Sequence, residues 1–316
     1  MEDVIEQLYG NGMVLIMWGA IVLQLLVPIP RQSHPMELWR RFAVQLSDKV
    51  NSTNPNQAML AGWLSVMLML LPAVTILIAL QPLVWQNELY QLALLLLALD
   101  WRNSDALIRQ LSLAMANEDK TQARQLLKPW VNRETDSLSL LGLGKAGAET
   151  YLLAMGRGVI AVLFWYCLLG GIGAFIYRLT VELARVWSPS RQNYFAFGRA
   201  ATRLTAVLDY IPLKLFSLLI LCGHRAKQSV ALLQVQHKSW PLPGPSWLLI
   251  SSAAKYELSL GGPAIYDARK SVRAKIGGRI APAAIHLSQL RQLIFSRLII
   301  WILGSSLLLS VIHQGL

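Results

Sequence analysis

The chain has 316 residues, 54% of them hydrophobic and 15% charged, with 29 Lys and Arg against 17 Asp and Glu for a formal net charge of +12. Soluble domains carry about 25% charged residues, so this composition, with a mean hydropathy of +0.44, excludes an ordinary soluble domain and points to a polytopic membrane protein. The basic excess fits cytoplasmic loops beside anionic lipid rather than nucleic acid, which calls for a dense basic face without spans.

Residues 1–12 hold Glu2, Asp3 and Glu6 and no Lys or Arg. A secretory signal starts positively charged, so the first apolar run reads as a retained span over 13–28, ended by Pro28-Ile29-Pro30. A polar region, 31–58, follows, with an amphipathic helix starting near Met36. Residues 59–80 form a second span, with Pro72 as a kink, and 83–99 is either a third span or a shorter helix packed on the bundle.

The second polar region, 100–157, opens with RNSDALIRQLSLAMANEDKTQARQLLKPWV. Its three-to-four spacing of Leu and Ala predicts a pair of amphipathic helices, and the loop NRETDSLS follows. The run 158–177 is long enough to cross a hydrocarbon core of about 30 Å at about 1.5 Å per residue. Another span is expected over 207–223. The region 224–292, rich in PLPGP, LGGP and KIGGRIAP, reads as turns and loops, and the last span covers 293–312.

These elements predict a single all-α membrane domain over 1–316. It has about five to six transmembrane helices and two larger cytoplasmic helical or loop regions. The expected location is the bacterial cytoplasmic (inner) membrane. The loop Arg178–Arg203 resists this scheme: it faces outward despite its arginines, unless it is re-entrant or a weaker span does not cross.

Several polar groups stand out as places for chemistry. His34-Pro35 sits after the first span as a helix-entry turn or as an imidazole facing a polar pocket. Arg133-Glu134-Thr135 reads as an exposed turn with a local ion pair. Lys145 and Glu149 are four apart and able to pair, and Thr150 follows. Arg157 at a membrane edge is expected to snorkel to head groups. Asp209-Tyr210-Ile211-Pro212 looks like an interfacial break, and an acid at a span mouth is functional by default. Arg203, six residues before Asp209, does not share its helical face. Gly261-Gly262-Pro263, with Tyr266 and basic residues after it, is a simple turn or a backbone nest for a phosphate. The histidines show no paired ligand spacing, so no metal site is expected. Cys167 and Cys222 read as small apolar residues.

Taken in order, these pieces resemble the CobD/CbiB family of integral membrane adenosylcobinamide-phosphate synthases. They are the His-Pro turn, Arg-Glu-Thr, the Glu-Thr helix, Gly-Val-Ile-Ala-x-Leu-Phe-Trp with its Gly-Gly, Tyr-Arg, Phe-Gly, Arg-Leu, Ile-Pro-x-Lys-Leu and Leu-Gly-Gly-Pro-x-x-Tyr. The resemblance implies amide-bond formation between adenosylcobyric acid and aminopropanol phosphate. It implies ATP with Mg for a nucleotide-dependent ligation, a corrinoid substrate, and other cobalamin-assembly membrane enzymes as partners. By position it implies catalytic roles for His34, Glu149, Thr150 and Asp209. Substrate or phosphate binding falls to Arg133, Arg203, Gly261, Gly262, Pro263 and Tyr266.

The chain departs from the family's pattern where a Glu-Asn-x-Ser-Asp-Gly-Val run is usual. Here Leu153 to Val159 replace it, with Arg157 at the place of an acid. A more distant resemblance, carried by Val-Leu-Asp-Tyr-Ile-Pro-Leu-Lys-Leu and Gly223-His224, is to AmpE, a membrane protein linked to β-lactamase signalling. Two readings therefore stay open: a membrane ligase, or a catalytically lapsed relative that acts as a signalling or scaffold protein.

Overall fold

The computed structural model describes residues 12–27, 35–267 and 269–314. The His34 turn and Pro28-Ile29-Pro30 lie outside the described residues. The first helices are α1 (Gly12–Leu26), α2 (Pro35–Val50), α3 (Pro55–Leu80) and α4 (Asn87–Ala98). The amphipathic pair forms as its periodicity predicts, as α5 (Trp101–Ala116) and α6 (Lys120–Leu127). Asp119 caps α6 by accepting the Gln122 amide, and Ser139 caps α7 (Leu140–Met155) by accepting that of Gly142.

Four helical segments among the described residues are long and apolar enough to cross a membrane: 55–83, 140–186, 199–221 and 284–312. The run 83–99 holds the 12-residue α4, and the described part of the first apolar run holds the 15-residue α1. At about 1.5 Å per residue, α4 covers roughly 18 Å. It packs as a short brace against α1 and α8 (Ala161–Val186).

The run 158–177 is not a straight span either. Gly170 breaks it at φ +66°, ψ −162°, a region open essentially to glycine alone. A straight helix would place Arg157 and Tyr177 about 30 Å apart. Both instead bond the carboxylate of Asp209, so the chain must turn back at Gly170. The turn frees the Gly171 amide, and the buried side chain of Gln91 accepts it. The start of this run is a π-helical turn, Gly156–Ile160, which carries Arg157.

The next helix is α9 (Arg199–Leu221). It runs through Asp209-Tyr210-Ile211-Pro212 without the expected break. Pro212 cannot donate to the carbonyl four residues back. That carbonyl, of Leu208, accepts the Trp165 indole N–H at 3.3 Å instead, which lets the helix continue.

The region 224–292 is more ordered than its Gly and Pro content suggests. It holds α10 (Ala226–Gln236), α11 (Pro243–Lys255) and four three-residue strands: β1 (Ser259–Gly261), β2 (Ala264–Tyr266), β3 (Arg269–Ser271) and β4 (Lys275–Gly277). β1 pairs with β4 and β2 with β3, both antiparallel. The PLPGP stretch is a helix start, with proline at the first turn where no amide is needed. The last helix, α12, spans Ala284–Gln314.

The main core joins α1 and α4 through α12 by way of side chains such as Leu111, Leu127, Tyr151, Leu152, Val159, Phe216, Leu233, Leu248 and Leu287. Each large aliphatic side chain so buried contributes about 1.5–3 kcal/mol relative to exposure. α2 is clamped onto α8 by two indoles: Trp39 donates to the Leu179 carbonyl at 3.1 Å, and Trp187 to that of Ala43 at 3.0 Å. α3, by contrast, leaves Leu60, Leu64, Leu68 and Leu71 exposed. Only 17% of its most apolar stretch is buried, a surface suited to lipid rather than water.

Candidate functional site

A cavity of about 520 Å³ opens between Asp100 at the start of α5, the loop 130–133, the end of α7 with its π turn, the end of α8 with the loop after it, Thr202 on α9, the segment 240–242, Tyr266 on β2 and Arg273 just after β3. The loop 188–192 therefore joins the two large polar regions instead of lying on the far side of the bundle. Asn132 donates to Ser190 Oγ at 3.4 Å, and the Gln192 amide donates to Asp267 Oδ2 at 3.0 Å. The arginine-rich loop thus packs beside both polar regions.

Three carboxylate clusters build the wall. Glu149, on α7, is buried. Its Oε1 accepts the Gly261 amide at 2.7 Å, and its Oε2 accepts from Arg133 at 3.3 Å and Arg273 at 3.1 Å. Arg133 is thus drawn inward from its loop, not left as an exposed turn paired with its neighbour. Burial holds its guanidinium below its ordinary range; Glu149 pulls the other way, and Arg273 again downward. Lys145 does not pair with Glu149. Its ammonium donates to Ser259 Oγ at 3.2 Å.

Asp209, fully buried on α9, accepts from the Tyr177 hydroxyl at 2.6 Å and from Arg157 Nε at 2.8 Å. Arg157 points into the protein rather than toward head groups because the π turn presents it to this acid. The third cluster is linear. Arg40 donates to Glu182 at 2.7 Å; Arg178 bridges Glu182 at 2.9 Å and Asp100 at 3.1 Å.

Of the residues singled out in the sequence, Arg133, Glu149, Thr150, Arg157 and Tyr266 line the cavity together. Asp209 stands behind the wall and reaches it through Arg157. Gly261 also stands behind it, anchoring Glu149. The amide of Gly262 donates to the Ala274 carbonyl at 3.1 Å, so both amides of the proposed nest are already used within the protein. Pro263 is exposed on the turn, and Arg203 is exposed on α9 outside the cavity lining.

The sequence reading missed Arg273, Asp100, Arg178, Glu182, Arg185 and Trp240, all of which line the cavity. The four-residue spacing of Arg178 and Glu182 was a usable signal for one ion pair. Nothing in sequence spacing foretells the pairing of Arg273 with Glu149, 124 positions away.

The sequence pattern described as CobD/Cbib protein matches residues 17–294, which take in every element of this cavity. The chain belongs to the CobD/CbiB family. Two curated relatives named cobalamin biosynthesis protein CobD match over nearly their full length. The protein from Stutzerimonas stutzeri is 27% identical over 285 residues, covering 90% of this chain and 94% of its own. That from Chromobacterium violaceum is 28% identical over 303 residues, covering 93% and 97%. A third, from Halalkalibacterium halodurans, is 31% identical over 170 residues, about half of each chain. No solved structure matches the chain.

In this CobD/CbiB family member the cavity is built from charged residues set among apolar helices. Five arginines line it (Arg133, Arg157, Arg178, Arg185 and Arg273) against three carboxylates, Asp100, Glu149 and Glu182. Such a basic, partly enclosed hollow selects anionic groups, since charges there are screened less than on an open surface.

Proposed function

We propose that this chain is a membrane ligase of cobalamin biosynthesis. On this reading it joins the propionate carboxylate of adenosylcobyric acid to the amine of aminopropanol phosphate. The arginine-rich cavity carries the reading, taken with the family match over residues 17–294. Both substrates bring negative charge, one as a carboxylate and the other as a phosphate. A basic hollow at the mouths of apolar helices is suited to hold the two together and to raise their effective concentration.

The chain's own groups then divide the work. Glu149 is fully occupied by two guanidinia and an amide, so it holds Arg133 and Arg273 in place rather than taking a proton. Asp209 does the same for Arg157 at one remove. Thr150 lines the cavity, and among the described residues its hydroxyl has no hydrogen-bond partner, so it is free to bond a substrate carbonyl or amine. ATP enters as a co-substrate that activates the carboxylate. Its phosphates fit the arginines. No group of three His, Cys, Asp or Glu suited to a metal ion occurs among the described residues, so magnesium would arrive bound to the nucleotide.

The test is turnover by the purified protein in detergent with both substrates, ATP and magnesium. Formation of the phosphorylated cobinamide is expected. No product, under conditions in which the Stutzerimonas stutzeri relative makes it, overturns the reading. That result would favour a lapsed, scaffolding role, which the complete engagement of Glu149 and Asp209 by arginines also fits.

A further inference from the structure

Four of the five cavity arginines are committed to acids. Arg133 and Arg273 share Glu149, Arg157 is held by Asp209, and Arg178 bridges Asp100 and Glu182. Arg185 differs. No carboxylate lies within ion-pair distance of it among the described residues. It is fixed by a 2.7 Å bond from Nη2 to the Pro129 carbonyl and by the Trp130 ring, 5.9 Å from its guanidinium carbon. These contacts orient the planar fork while leaving most of its N–H groups unused.

The neighbours of Arg185 in the lining complete a set of small donors. Ser188 and Ser190 lie one turn onward, with their hydroxyls 2.9 Å apart. Asn132 donates to Ser190 Oγ at 3.4 Å with one of its two amide hydrogens, and its Oδ1 accepts from Arg191 at 3.0 Å, which fixes the orientation of the amide. A hydroxyl rotates freely and donates one hydrogen. A guanidinium without a carboxylate at ion-pair distance, beside neutral hydroxyl and amide groups, suits a phosphate, which offers three acceptor oxygens in different directions.

We propose that Arg185, with Asn132, Ser188 and Ser190, is the subsite that binds a phosphate group of the substrates. The inference rests on the ligase reading. It leaves the corner around Thr150 and Glu149 for the atoms that form the amide. The phosphate belongs either to the phosphorylated amine or to the nucleotide, and the chemistry of recognition is the same for both.

The experiment is initial-rate kinetics on the full-length protein in detergent for wild type, R185A, R185K and the S188A/S190A pair, varying aminopropanol phosphate and ATP separately. R185A is expected to raise KM for one of them by about 10- to 100-fold, with the other KM and the thermal midpoint unchanged. R185K should recover part of the loss, since it restores charge without the planar fork. The co-substrate affected identifies the source of the phosphate. A fall in kcat with both KM values unchanged overturns the proposal. If the wild type shows no turnover, the ligase reading fails by itself, and the subsite is then read by titrating aminopropanol phosphate and pyrophosphate into the protein. Binding lost in R185A sustains the subsite; no binding to the wild type overturns it.

Discussion

The Glu149 carboxylate accepts the backbone amide of Gly261 at 2.7 Å, so a side chain on α7 is bonded directly to the edge of a strand 112 residues later. Gly261 sits at φ +72°, a conformation that glycine adopts without strain and that lets its amide turn toward the acid. The same carboxylate gathers Arg133 and Arg273. Removing it leaves two guanidinia facing each other in a partly buried space. Glu149→Ala is therefore expected to cost about 3–5 kcal/mol of stability, read as a lowered thermal midpoint in detergent. Glu149→Gln keeps an oxygen for Gly261 but turns an amide NH2 toward an arginine, so it should also lose stability, by less than the alanine change. Full stability of Glu149→Ala would show that the cluster is not organised by this acid.

The Arg157–Asp209 pair should behave as a unit. Arg157→Met leaves an uncompensated carboxylate at a fully buried position, again with an expected cost of about 3–5 kcal/mol. Arg157→Met with Asp209→Leu should be less damaging than the sum of the single changes, by a coupling of about 0.5–3 kcal/mol. Tyr177→Phe removes one hydrogen bond to the charged group and should cost about 1.5–3 kcal/mol. Strict additivity in the cycle would contradict the paired arrangement.

Gly170 is the hinge of the folded-back run. An added Cβ there would meet Gln91 Oε1 at 2.9 Å, and the backbone region is closed to other residues. Gly170→Ala should destabilise the protein by at least about 1–3 kcal/mol. Gln91→Ala should destabilise it too, because the Gly171 amide then loses its acceptor in an apolar setting. A neutral Gly170→Ala in a thermal scan would mean that the run is straight.

The sequence made much of this architecture legible, and the failures have physical causes. The α5–α6 pair and the last span follow from the periodicity and length of their apolar residues. The fold-back at Gly170 was hidden because counting apolar residues assumes a straight helix, and Gly170-Gly171 lies inside an unbroken apolar run. The short strands were hidden because three residues are too few to show alternation. For the candidate cavity, the motif positions pointed to Glu149, Thr150, Arg133 and Tyr266, and the fold brings these four to one lining. Arg157 was misread as snorkelling because a π turn, not sequence spacing, decides which way it faces. Asp209 was placed at a helix break because the rescue of the Pro212 site by Trp165 comes from a distant segment.

The central claim, that the cavity between α7, α8 and the Tyr266 hairpin is where the reaction takes place, is tested most directly by filling it. Ala154 lines the cavity and is not an ion-pairing residue, so Ala154→Phe puts a ring into it while leaving every ion-pairing group in the sequence. Ligase turnover should fall by about 100-fold or more with the thermal midpoint unchanged, while Val235→Phe, at an exposed position on α10, leaves turnover as it was. Wild-type turnover in Ala154→Phe would contradict the account.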